Sequence, residues 1–357
     1  MKKILSILLV LSMTICLMGA LSTTVSAAAA TKMYVGGVDV IAGGYWVGDG
    51  DGGITSEGAS ESNYAVKYVP DTGTLTLNNA EITKCYDWAS DRYSAAIYVR
   101  GDLNIELLGN NIVTGKDNDY SYGVFQSDGT LTLSGSGTLE AIAGTATGYS
   151  FGINADSLAI NDGTVIAKGG TSAGNSVGIS AYGLISITDS TVTATGGQTV
   201  STSAYESSHG LNSNGTIKIS GGSVTATGGN TYYRSVGLYG IYRITISDDA
   251  IVHATGSTAT DAKGMSYGIG TNVFDRSITI SGGMVTAQSG TAPITSAIRT
   301  APVLGEYSGC EWRISKDDGF STDTYTWSES HTYVEFKPGF IPVNDIAMTS
   351  ADSVTVN

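Results

Sequence analysis

SVGISAYGLISITDSTVTATGG, from Ser176 to Gly197, is followed by SHGLNSNGTIKISGGSVTATGG, from Ser208 to Gly229. The same unit starts again at Ser121, Ser150, Ser235 and Ser266, at spacings of 26 to 32 residues. Degenerate copies lie around Leu75–Leu77 and Ile97–Leu107, and one more begins at Ser296. Periods of this size mark solenoids and related arrays. Each copy carries three short alternating stretches. The first holds one aliphatic residue, such as Ile179 or Leu211. The second holds a pair two apart, such as Ile185/Ile187 or Ile217/Ile219. The third holds Val192/Ala194 or Val224/Ala226. A spacing of two puts both members on one face of a strand. Between the second and third stretches sit Gly135, Asp162, Asp189, Gly221, Asp248 and Gly282, residue types that tolerate the left-handed backbone of a tight corner.

Three strands and their corners, repeated, describe a triangular coil. One rung cannot bury its apolar face alone, whereas stacked rungs bury a continuous column. The predicted fold is therefore all-β, a single-stranded parallel β-helix over residues 64–300, with a right-handed coil as the default. A β-propeller or an immunoglobulin-like sandwich needs longer strands and regular hairpin turns, which are missing here. Residues 28–63 and 301–338 lack the repeat and are predicted as caps, the second carrying Trp312, Tyr325, Trp327 and Tyr333. Residues 339–357 alternate apolar and polar and then stop in mid-pattern, as expected of a linker leading into a further domain.

Lys2 and Lys3, the apolar run Ile4–Leu21 and the small residues Val25-Ser26-Ala27 have the layout of a secretory signal over residues 1–27. A membrane anchor is the alternative, but the run is short for a span. Removing Lys2 and Lys3 from 18 basic residues leaves 16 against 32 acidic ones, a net charge of −16. That balance argues against nucleic acid or an anionic membrane surface as partner. A soluble, secreted or wall-associated monomer is expected, with no membrane insertion once the signal is removed. The remaining cysteines, Cys85 and Cys310, fall near opposite ends of the array. They are expected as unpaired thiols, since a disulfide needs Cα atoms within about 7 Å.

Four recurring features are candidates for chemistry. Ser121, Ser150, Ser176, Ser208, Ser235, Ser266 and Ser296 form a row whose hydroxyls can relay hydrogen bonds along the stack. No histidine accompanies them regularly, so a nucleophile is poorly supported. Gly123, Gly152, Gly178, Gly210, Gly237 and Gly268 form either a corner or a bare external trough for a linear polymer. Asp162 and Asp189 on adjacent rungs, and Asp117 with Asp119 in a loop, offer carboxylates for calcium, although turn chemistry explains corner aspartates equally well. The long connections after the third strands carry Tyr149, Tyr205, Tyr232 and Tyr233, with Arg234. These rings either stack on sugars or pack the loops onto the coil. The outward rows of the second and third strands do not concentrate carboxylates for hydrolysis. Lys218 and His253 are their one notable pair, one rung apart.

The stretches SAAIYVRGDLNIELLGNNIVTG, YGVFQSDGTLTLSGSGTLEA and ISGGSVTATGG resemble a family of secreted β-helix proteins of clostridia and related gut bacteria, described as carbohydrate-binding domain proteins. The likeness spans most of residues 34–338. It implies binding of plant polysaccharide, in some members acidic and calcium-dependent, so calcium is carried as an open cofactor. No site motif of that family maps onto individual residues here. VNDIAMTSADSVTVN resembles the opening of a bacterial group 2 immunoglobulin-like domain. The expectation is a non-catalytic polysaccharide-binding or adhesion protein of the cell surface. A structural stalk displaying other domains, and a polysaccharide lyase or hydrolase, are the alternatives.

Overall fold

The computed structural model describes residues 29–305 apart from 204 and 273–276, together with 312–316, 319–321, 328 and 330–338. The expected signal (1–27), Cys310, Tyr325, Trp327 and the tail 339–357 lie outside the described residues.

The chain is a parallel β-helix of three sheets running along its axis. The first sheet stacks the strands Tyr93–Arg100, Tyr120–Ser127, Ser150–Ala155, Ser176–Ala181, Ser207–Ser213, Arg234–Gly240, Met265–Thr271 and Ile294–Ile298. The second carries the aliphatic pairs and the third the Val-x-Ala pairs, all parallel and in register. Ile187 lies opposite Ile219, and Val192 opposite Val224. Both rows are buried. Each fully buried aliphatic side chain contributes about 1.5–3 kcal/mol relative to exposure.

The corners follow the sequence logic closely. Asp162, Asp189 and Asp248 have φ of 61°, 48° and 57°, where short polar side chains can satisfy nearby backbone. In the last rung the left-handed residue is Gly283, one position beyond the expected Gly282.

The glycine row is not an external trough. The ladder skips it: Tyr122 pairs Phe151 and Val124 pairs Ile153, with Gly123 unpaired between them. Val124 enters the central core, while Tyr122 belongs to a separate external cluster. Glycine therefore breaks the period-two alternation, and the row is buried. A Cβ on Gly237 would meet Thr255 N at 2.4 Å, Ala226 O at 2.6 Å and Gly268 O at 2.8 Å. In these six rungs the first sheet is turned so closely onto the third that a Cβ would press on backbone, whereas the end strands carry Ala96 and Ala297 at the same register.

The serine row relays hydrogen bonds through backbone rather than hydroxyl to hydroxyl. Ser176 Oγ donates to Gly170 O (2.7 Å) and accepts from Gly197 N–H (2.8 Å). Ser208 Oγ donates to Gly197 O (2.7 Å) and accepts from Gly229 N–H (2.8 Å). At the C-terminal end Thr295, not Ser296, stands opposite Ser266. At the N-terminal end Ser94 joins the row opposite Ser121.

Antiparallel strands close both ends. Lys32–Val35 pairs the Tyr93–Arg100 strand, and Gly44–Gly48 pairs Val66–Val69, which pairs Thr74–Asn78. The antiparallel cap thus reaches Val69, past residue 63. Tyr86–Trp88 adds a further antiparallel strand beside Tyr93. Tyr333–Pro338 lies antiparallel on Met284–Gln288, with Trp312–Lys316 beyond it. Cys85 is unbridged.

The connections after the third strands are themselves stacked. Asn118, Ala146, Ser172 and Thr199 bridge in series, as do Thr231 and Ala259, and Thr199 and Thr231 share a hydroxyl hydrogen bond of 2.7 Å. They form a ledge beside the first sheet.

Candidate functional site: a groove on the outward face of the first sheet

The break at glycine turns two rows of each first-sheet strand outward, at one and four residues after the serine. Across five rungs the nearer row reads Tyr122, Phe151, Val177, His209 and Val236, and the farther row Phe125, Asn154, Ser180, Asn212 and Tyr239. Near the middle of the rod these rows line a groove of about 200 Å³. Phe151, Tyr205 and Tyr239 are its aromatic wall residues; Asn175, Asn212, Asn214 and Arg234 supply polar groups, and His209 lies among them. None of the groove's lining residues is a carboxylate.

The polar groups are held in place by each other. Asn175 Oδ1 accepts from Ser207 N–H at 2.8 Å, and Asn212 Nδ2 donates to Ser180 Oγ at 3.3 Å. Arg234 donates through Nε to Ser207 Oγ (3.3 Å) and through Nη1 to Tyr239 Oη (3.1 Å). Its guanidinium carbon stands 4.6 Å from the Tyr239 ring centre, a cation–π arrangement. Among the described residues Arg234 forms no ion pair. His209 stacks on the same Tyr239 ring, at 5.0 Å between centres and 22°. Burial holds the imidazole pKa well below its ordinary value, the Arg234 charge adds to that, and a hydrogen bond with Asn212 opposes it. His209 is therefore neutral, and its buried Nε2 has no hydrogen-bond partner among the described residues.

A train of rings leads into the groove from the N-terminal end. Tyr93 and Tyr120 stack at 4.3 Å and 8°, Tyr120 meets Tyr149 edge-on at 5.5 Å, and Tyr149 stacks on Phe151 at 5.9 Å. Behind them Trp88 packs on Tyr122, and Tyr86 stacks on Tyr34 at 3.8 Å. Tyr149 and Tyr182 stay exposed.

Of the residues singled out from sequence, Tyr205 and Arg234 line the groove and Tyr149 stands at its approach. Tyr205 is 86% exposed on the ledge. Tyr232 and Tyr233 are not among the lining residues. The Tyr232 hydroxyl is engaged by Asp261, which raises its pKa. The continuous run of rings thus lies on the sheet, not along Tyr205, Tyr232 and Tyr233. Phe151, His209, Asn212 and Tyr239 were missed. The signal was available at fixed offsets from each serine, but strict alternation counted back through the glycine from the inward aliphatic assigns the nearer row, with Phe151 and His209, to the wrong side.

The carboxylates proposed for calcium have neighbours of their own. Asp117 Oδ1 accepts from Thr145 N–H at 2.7 Å. Asp119 takes Arg92 Nε at 2.8 Å and Thr147 Oγ1 at 2.6 Å, and these two bonds lower its pKa. Asp162 and Asp189 occupy the left-handed corners. Among the described residues no group of three or more His, Cys, Asp or Glu side chains converges as a metal site would. Lys218 lies on the second sheet and His253 on the third, so the fold does not put them on one face.

Residues 217–241 and 278–298 match the family model described as a beta helix repeat. Each matched stretch runs through one strand of each of the three sheets in the later rungs. Comparison with curated proteins and with solved structures gave no match.

Proposed function

We propose that the protein is a secreted, non-catalytic polysaccharide-binding module, and that it holds its ligand in the groove over Phe151, Tyr205, His209, Arg234 and Tyr239. The observation that carries this is the composition of that groove. Aromatic faces stand beside amide and guanidinium donors, the combination that sugar rings use through their apolar faces and hydroxyls. The train of rings from Tyr93 to Phe151 continues the surface along the rod, which suits a polymer longer than the groove itself. Glycoside hydrolysis generally uses two carboxylates flanking the scissile bond, and the groove's lining has none. The parallel β-helix also suits surface display, and a stalk without ligand is the competing role.

The test is affinity electrophoresis of the mature protein in gels containing hydroxyethyl cellulose, β-mannan or polygalacturonate, with and without calcium. Retardation by at least one polymer is expected, with Tyr205→Ala strongly weakening it. No retardation in any gel leaves the stalk. Reducing ends or unsaturated products accumulating with time would make the protein an enzyme.

A further inference from the structure

The side chains that line the groove set its direction. Around the strand Ser207–Ser213 they follow one another along the strand and past both its ends: Tyr205, Ser207, His209, Asn212 and Asn214. Along the rod axis the groove is short. Phe151 walls it on the N-terminal side and Tyr239 on the C-terminal side, and between them the strand Ser176–Ala181 turns only the smaller Val177 and Ser180 outward. Neighbouring strands lie about 4.8 Å apart, whereas the seven residues of Ser207–Ser213 extend over about 20 Å. The groove therefore crosses the rod instead of following it. Its floor is buried at Val177, Ser180 and His209, and its exposed lining residues stand at the two ends. Tyr205 is on the ledge, and Asn214 and Asn272 are at the corner with the second sheet. The repeat unit that carries Tyr205 is also the longest, 32 residues from Ser176 to Ser208 against 26 from Ser150 to Ser176. Most of the extra length lies in the ledge connection before Ser207, which brings Tyr205 to one end of the groove.

We infer that the bound chain lies across the rod, along the strand Ser207–Ser213, and that Tyr182 is a further binding residue, meeting the chain where it leaves at the corner opposite Tyr205. The inference rests on the groove being the polysaccharide site. The register places Tyr182 in that corner. Ala181, Ser213, Gly240 and Thr271 are successive ladder partners, so the residues that follow them, Tyr182, Asn214, Ile241 and Asn272, form one column. The last three line the groove. Tyr182 stands one rung before Asn214 and is 64% exposed. Burial, and after it the nearby Tyr182 hydroxyl, raise the pKa of Tyr122; the Tyr182 ring therefore leans over the first sheet, on the groove's side of the corner. Stacking on a sugar needs an accessible aromatic face, and the exposed rings of Tyr205 and Tyr182 supply one at each end. The train of rings offers another way out of the groove, along the rod. There Tyr93 and Tyr120 stack on each other at 4.3 Å and 8°, so they turn edges and hydroxyls towards a chain. About 20 Å corresponds to about four sugar units of an extended polymer. Because both ends of the groove are open, the ligand is an internal stretch of such a chain and not its terminus.

The experiment uses the mature protein and whichever of hydroxyethyl cellulose, β-mannan or polygalacturonate retards it. Tyr182→Ala removes an exposed ring, so the melting temperature is expected to stay the same while binding weakens about three- to tenfold, the worth of one aromatic contact. Tyr182 and Tyr205 stand at opposite ends of the groove, so their losses should multiply in the double variant. Tyr93 lies four strands away from Ser207–Ser213 along the first sheet, and Tyr93→Ala is expected to bind about as well as the natural protein. Ring-labelled tyrosine spectra of the unsubstituted protein give a readout that needs no variant: the Tyr182 and Tyr205 signals should move together on saturation with the polymer, and the Tyr93 signal should not. Tyr182→Ala binding as tightly as the natural protein, a Tyr182 signal that stays still at saturation, or a loss in Tyr93→Ala equal to that in Tyr182→Ala overturns the crossing path. If Tyr205→Ala still weakens binding in that case, the groove remains the site. If none of the three polymers binds, the groove reading fails and the inference with it.

Discussion

Ser208→Ala removes one oxygen atom from the interior of the rod and breaks two hydrogen bonds. Ser208 is fully buried; its Oγ donates to Gly197 O at 2.7 Å and accepts from Gly229 N–H at 2.8 Å. Neither backbone group has another partner of its own rung to turn to, because both belong to the corner between the third and first sheets. The space vacated is that of a hydroxyl, smaller than the roughly 30 Å³ share of a water molecule, so solvent cannot take its place. The corner is also tightly closed: a Cβ on Gly229 would lie 2.1 Å from Gly197 O. Leaving a buried donor or acceptor unsatisfied costs about 1–3 kcal/mol each, with the carbonyl at the lower end. The expected loss is therefore about 2–4 kcal/mol. The control is Ser186→Ala, at an outward, half-exposed position on the second sheet, where about 0.5 kcal/mol or less is expected. Urea unfolding followed by far-ultraviolet circular dichroism measures both, and amide hydrogen exchange at Gly229 locates the effect. Because each rung contacts only its neighbours, the increase in exchange should centre on the rungs beside Ser208. Equal stability of the two variants, or unchanged protection of the Gly229 amide, would refute a serine–glycine relay as a support of the coil.

Gly237→Ala, whose Cβ would press on three backbone atoms of neighbouring strands, is expected to lose several kcal/mol or fail to fold, whereas Gly48→Ala meets nothing within 4 Å and should change stability by less than about 1 kcal/mol; similar melting of both would show that the first sheet can move away from the third. Burial pushes the Cys85 thiol up to about 11, against a weaker opposing hydrogen bond from Lys116 N–H. The thiol therefore stays protonated in the folded protein at pH 8–9, where an unfolded cysteine near 8.5 begins to ionise. Alkylation of Cys85, followed by peptide mass mapping, should be slow until the pH approaches the folded value, and stability should decline as the pH rises from the unfolded value toward the folded one. Alkylation at pH 8 as fast as in urea would contradict that environment.

The repeat in the chain was enough to specify the coil, because burial in a solenoid is local and periodic. Ile185, Ile187, Val192 and Ala194 face inward for the same reason as their counterparts one unit later, and that reason is visible as a spacing of two. The corners were equally legible, since a left-handed residue draws on a short list of types and Asp162, Asp189 and Asp248 belong to it. The serine row could be seen as a structural ladder, though not that its bonds pass through the backbone of Gly170, Gly197 and Gly229. Tertiary structure alone decided which side the residues around the glycine face. Gly237 and its counterparts admit a contact with the third sheet that no side chain would allow, and this adds one inward residue to every first-sheet strand. That extra residue sends Phe151, His209, Asn212 and Tyr239 outward together. The groove they form draws on four strands and the loops beside them, far apart in the chain, so its chemistry arises from the register between rungs and not from any one stretch of sequence.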